Sequence, residues 1–224
     1  MEHFHALLLT FLEMTFIFVG LGMLYSQRRA IGKAPFYMAL GLLFLFSHFV
    51  SAAEIRTVLF GTIDFEVGRI VIFLPILTAY LMVYITEGTL AAQRIIIGAA
   101  VLFGLYLYLG ELTRLQCNWY GFSLTSGTEA VTLDNLLGGS RNSMNLVALS
   151  HLFDFLVLPI AYTRFKNFGL GRFFCILGAL LTALLLGALL SQIIALIYGL
   201  PASFFNGNFI ARLIAGFWLA VMLG

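Results

Sequence analysis

The sequence predicts an all-α fold: a polytopic membrane helix bundle of about seven transmembrane helices, with the N-terminus outside and the C-terminus cytoplasmic. Three observations point to it. The 224-residue chain is 62% hydrophobic and only 10% charged. Its mean hydropathy of +1.03 lies far above that of soluble domains. Its apolar residues fall in runs near the ~20 residues that cross hydrocarbon as a helix, a conformation that satisfies its own backbone N–H and C=O groups. A net charge of +2, thinly spread, argues against a nucleic-acid partner.

The opening "MEHFHALLLTFLEMTFIFVG" has neither the basic start nor the small-residue cleavage site of a signal peptide, so it reads as a retained span near 4–26. Further spans follow near 35–60, 69–88, 92–113, 144–164, 171–199 and 208–224. The connection "SQRRAIGKAP" holds Arg28, Arg29 and Lys33, and "TRFKNFGLGR" holds Arg164, Lys166 and Arg172. Alternating helices put both on one face, which the excess of positive charge makes cytoplasmic. Cys117 and Cys175 then fall near opposite faces, where no disulfide can join them, and no zinc-ligand spacing exists. Residues 114–142 are expected to form an extracytoplasmic loop. The last span ends on "FWLAVMLG" without a basic anchor, so residues 1–224 are expected to be a single transmembrane domain of a longer chain.

A charge at mid-bilayer costs roughly 2.5–3.5 kcal/mol on insertion scales, so each ionisable group within a span requires a partner or a task. Glu13, His48, Glu54, Arg56, Glu111, Arg114, His151, Asp154 and Arg212, with Ser191 and Gln192, cluster in the outer halves of their spans. That asymmetry predicts a polar cavity opening outward. In "ALSHLFDFLVLP", His151 and Asp154 stand at i and i+3 and share one helix face. The candidate ligand-binding set is His151, Asp154, Glu13, His48, Glu54, Arg56, Gln192 and Arg212. The same groups can instead fasten helices, Asp154 to Arg56 or Arg212, and His151 to Glu13 or a backbone carbonyl. No i, i+4 histidine pair or Glu-x-x-His pattern suggests a metal, and no cofactor is expected. No nucleophile sits in a motif with a base and no phosphate loop is present, so catalysis is not expected of this segment. Small residues in "GALLTALLLGALLS" suit close helix packing, while Pro75 and Pro159 are expected to kink their spans.

The stretch "FGTIDFEVGRIVIFLPILTAYLMVYITEGTLAAQRIIIG" resembles the vitamin-uptake-transporter-like family that includes the queuosine precursor transporters. The resemblance rests on a glycine-led hairpin, Phe73 and Pro75, then Glu87, Gly88 and Arg94, with "SHLFDFLVL" matching at Ser150 and Asp154. It implies the family's helical fold and a flat heterocyclic ligand. Family members carry an Asp in the third span, where this chain has "AYLMVYIT".

Seven spans, an outward cavity and a cytoplasmic C-terminus have the layout of a receptor in a bacterial inner membrane. The expectation is a sensory input domain that binds a small polar or heterocyclic ligand and signals to a cytoplasmic output such as a diguanylate cyclase or histidine kinase, with homodimerisation a possible state. The alternative is a transporter of a nucleobase-like queuosine precursor or vitamin. Transport needs polar groups in both halves of the path, and the inner half offers only Thr78, Thr86 and Thr182.

Overall fold

The computed structural model describes residues 2–52, 56–59, 63–117, 141–197 and 207–224. In chain order the elements are α1 (Glu2–Ser26), the short α2 (Arg28–Ile31), α3 (Ala34–Ala52), strands β1 (Arg56–Leu59) and β2 (Ile63–Glu66), a π-helical turn (Val67–Ile72), α4 (Phe73–Glu87), α5 (Thr89–Cys117), α6 (Arg141–Asn167), α7 (Arg172–Ile197) and α8 (Gly207–Leu223). The bundle is helical, as expected. Five helical stretches among the described residues are long and apolar enough to cross a membrane; they lie in α1, α3, the π turn with α4, α5 and α7. The two other helices expected to span are α8, a shorter apolar helix, and α6, the helix that carries His151 and Asp154, which is not among those five.

The second span is shorter than the sequence suggests. Helix α3 ends at Ala52, and Arg56 lies in a two-stranded antiparallel hairpin whose register pairs Arg56 with Glu66 and Leu59 with Ile63. Thr57 and Val58 are β-branched and suit a pleated strand better than another helical turn. The fourth span is longer, because α5 meets no Gly or Pro between Glu111 and Cys117 and includes Arg114 and Cys117 in its last turns. Residues 114–117 and 141–142 of the expected loop are therefore helical, while 118–140, like Glu54, lie outside the described residues.

The third span is the axis of the bundle. Of its residues 72% are buried, against 17% for α5, which explains why it is apolar all round rather than along one stripe. It packs against α1, α3, α5, α6 and α8. It enters as a π turn, in which the Phe73 N–H bonds to the Gly68 carbonyl five residues back. The turn is pressed onto α3: a β-carbon on Gly68 would lie 2.5 Å from the Ser47 carbonyl oxygen and 2.6 Å from the Ser51 nitrogen. Pro75 follows directly, so the N–H it lacks falls where the widened turn has already changed the hydrogen-bond pattern.

The face that carries the basic connections, here the basic face, is closed by a clasp on Glu87. Its carboxylate accepts from Lys33 Nζ at 2.6 Å and from the Tyr25 hydroxyl at 3.1 Å, and Arg28 Nε stands 3.4 Å away. Arg28 also lies over the Tyr25 ring at 4.0 Å, and the Tyr25 and Thr86 hydroxyls bond to each other. The hydrogen bond to Glu87 holds the Lys33 ammonium above the ordinary lysine range. Its contribution is therefore complete below that range and lost as pH rises past the raised value. Glu87→Gln is expected to cost about 1 kcal/mol and lower the unfolding temperature in detergent by about 2–4 °C; an unchanged melt would show that the clasp carries no stability. Gly68→Ala is expected to cost about 1–3 kcal/mol, since the obstacle is backbone that cannot rotate away. A wild-type melt for that variant would mean that the π turn stands off α3.

A buried polar cluster as candidate ligand site

Four ionisable residues from three helices meet in the half of the bundle nearest the hairpin. His48 on α3, His151 and Asp154 on α6, and Arg212 on α8 are only 1%, 2%, 3% and 8% exposed. His48 and Arg212 lie four and five residues from the hairpin-side ends of α3 and α8, whereas His151 and Asp154 lie ten and thirteen residues into the longer α6, at the level set by the contact of the two imidazoles. Strand β2 packs on α8 and the π turn on α3, which adds Glu66 and Arg69 from a different element.

Aromatic packing fixes the two imidazoles. His151 stacks on Phe73 with ring centroids 3.6 Å apart and 12° between planes, and His48 meets His151 edge-on at 5.1 Å. His48 Nδ1 lies 2.8 Å from the Phe44 carbonyl oxygen. It must donate there, leaving Nε2 as a lone-pair acceptor. Asp154 is seated on Gly187 of α7, where an added β-carbon would lie 2.0 Å from its Oδ1. The Ser150 hydroxyl donates to the Gly187 carbonyl at 3.4 Å, so both polar residues of this α6 face use the same glycine. Ser191 and Gln192 follow one turn farther along α7.

Arg69 is the electrostatic hub. It pairs loosely with Glu66, Nη1 to Oε2 at 3.7 Å, and its charge is felt by His48, His151, Asp154 and Arg212. Arg212 in turn feels Asp154 and Glu66. Yet among the described residues no ion pair within 4 Å joins Asp154 to either arginine. Eight buried polar atoms among those residues have no hydrogen-bond partner: His48 Nε2, Ser51 Oγ, Arg69 Nε and Nη2, Tyr80 OH, His151 Nδ1, Asp154 Oδ1 and Gln192 Oε1. All but the Tyr80 hydroxyl belong to this half of the bundle. An unpaired buried group costs about 1–3 kcal/mol, so such a concentration is not what helix fastening alone produces. Donors on Arg69 and acceptors on Asp154, His48 and Gln192 together suit a small molecule carrying both kinds of group.

Of the residues expected to bind, His48, His151, Asp154 and Arg212 are thus brought together, with Gln192 one turn away on α7. Glu13 is half-buried on α1 and makes no hydrogen bond or ion pair among the described residues, so it does not serve as the partner of His151. Arg56 is placed by backbone only, on β1, and Glu54 lies outside the described residues. The residue that sequence reasoning missed is Arg69. Its signal was available in "FEVGR", where Glu66 and Arg69 flank a glycine at i, i+3 immediately before the most apolar stretch of the third span. No group of three or more His, Cys, Asp or Glu among the described residues is placed to hold a metal ion.

No curated protein and no solved structure matches the chain significantly. The model of one protein family, described as "Vitamin uptake-like sensor", matches residues 18–224, a span that takes in the hairpin, the π turn and every member of the cluster. The chain belongs to the vitamin uptake-like sensor family.

Proposed function

We propose that this chain is a membrane-embedded sensory input domain that binds a small polar or heterocyclic molecule in the cluster of His48, Arg69, His151, Asp154, Gln192 and Arg212, from the hairpin side of the membrane. The observation that carries the reading is the set of buried, unpartnered polar atoms converging from α3, the π turn, α6 and α7. The family description supports the sensor role. With the basic face toward the cytoplasm, the hairpin side is the outside.

A ligand bridging Asp154 and Arg69 would also draw on Arg212, the one buried charge of α8. Differential affinity for two settings of α8 is then the means by which binding shifts a population. Since α8 runs from the cluster to the basic face, its displacement reaches the cytoplasmic side, where a nucleotide cyclase or histidine kinase output would respond. Transport fits less well. The hydroxyls of Thr78, Thr86 and Thr182 each donate to the carbonyl four residues earlier in their own helix, at 2.9, 2.8 and 2.7 Å, and so line no polar path through the basic half.

Thermal-shift titration of the purified chain with guanine, queuine, riboflavin, thiamine and pyridoxine tests the site. At least one compound is expected to raise the unfolding temperature of the wild type, and Asp154→Asn and Arg69→Gln are each expected to weaken its binding tenfold or more, about 1.4 kcal/mol. Equal shifts in all three proteins would remove these residues from the site. Gly187→Ala forces Asp154 off its seat without touching a ligand directly; it is expected to weaken binding to a similar degree, and unaltered affinity would show that the position of Asp154 does not matter.

A further inference from the structure

A cavity lies toward the opposite half of the bundle from the polar cluster, between α3, α4, α5 and α6. It has a volume of about 270 Å³. Leu40, Ile76, Ile95 and Leu102 form its sides, and Phe44 and Phe155 close its deep end. Of all the side chains that line it, only Tyr37 and Arg94 carry a polar group, and both stand near the basic-face ends of their helices. The volume is at the lower limit for a small-molecule site, too small for a helix of another chain. The walls offer no partner to a polar heterocycle, whose donors and acceptors would be buried unpaired. A hydrocarbon chain meets neither objection.

The rim supplies the other half of the specificity. Arg94 is exposed and makes no hydrogen bond or ion pair among the described residues. Its planar guanidinium is suited to a phosphate, which it can grip through two N–H groups. Gly98, one turn deeper on α5, is exposed, and a β-carbon there would meet nothing within 4 Å, so the cavity is open at this point. At Gly41 the opposing α3 touches Leu102 so closely that a β-carbon would lie 2.8 Å from Cδ1, which marks where the opening ends.

We propose that this cavity is a lipid site that takes part of one acyl chain of a membrane phospholipid whose anionic headgroup pairs with Arg94. The chain end would rest against Phe44 and Phe155. Phe44 provides the carbonyl that holds His48, and Phe155 packs on Phe73 at 5.5 Å, the ring on which His151 stacks. The lipid therefore backs the wall of the polar cluster without entering it.

The experiment is native mass spectrometry of the purified 224-residue chain incubated with phosphatidylglycerol, phosphatidylcholine or the free fatty acid, all with the same acyl chain. Wild type is expected to retain phosphatidylglycerol at least fivefold better than phosphatidylcholine. Arg94→Gln should bring that ratio close to one, Gly98→Leu should abolish retention of both lipids, and Gly98→Ala should behave as wild type. Retention by folded Gly98→Leu at the wild-type level overturns the proposal, as does an unchanged ratio in Arg94→Gln, which decides the matter if Gly98→Leu does not fold. Fatty acid retained as well as phosphatidylglycerol would overturn the phospholipid assignment.

Discussion

The close approach of Gly68 to the backbone of α3 is the constraint on which the rest of the molecule depends. With hydrogen at this position, the π turn lies directly on Ser47 and Ser51. The third span can then enter the bundle off-axis and still run down its centre. Arg69, the next residue, is carried inside with it, and Phe73 is aimed at His151. A helix that began with ordinary spacing would rotate each of these side chains, since one extra residue per turn changes every bearing that follows. A rare turn at this point thus serves the site as well as the fold.

Two kinds of polar chemistry are kept apart in the bundle. On the basic face, Glu87, Lys33, Arg28 and Tyr25 form a closed set in which the carboxylate has several partners. In the hairpin half, Asp154, His48, His151 and Arg69 retain unpaired atoms despite deeper burial. Satisfied groups join elements, and the clasp joins α1, α2, α4 and the connection to α3. Unsatisfied groups raise the energy of the empty state, and a partner that pairs them recovers it. That contrast, more than the presence of charge in a membrane, is what favours binding over fastening in the proposed reading of the cluster.

Much of this was legible in the sequence, for identifiable reasons. The helical class and the order of the long apolar helices follow from apolar run length, which hydrocarbon thickness sets directly. The convergence of His48, His151, Asp154 and Arg212 follows from their common depth in alternating helices. Whether Asp154 would pair with Arg56, with Arg212 or with neither was not legible, because depth says nothing about rotation around the helix axis. Composition alone did not show the hairpin, which only the family resemblance pointed to, since the apolar residues of "RTVL" also suit a helix end. Arg69 escaped for a related reason: a charge beside a turn reads as solvated until the turn is seen to be folded inward.

The aromatic wall has a consequence for the membrane itself. Phe44, Phe73 and Phe155 stand between the polar cluster and the basic half, and beyond them Thr78 and Thr182 use their hydroxyl protons within their own helices. Protons hop only along continuous hydrogen-bonded chains, and this stretch interrupts one. Moving a unit charge across a membrane is worth about 2.3 kcal/mol per 100 mV, so a polar cavity that leaked would dissipate the energy of the cell. With that break in the basic half, a proton taken up at the cluster would find no hydrogen-bonded way onward through these residues, so the cluster could change its protonation without opening a leak.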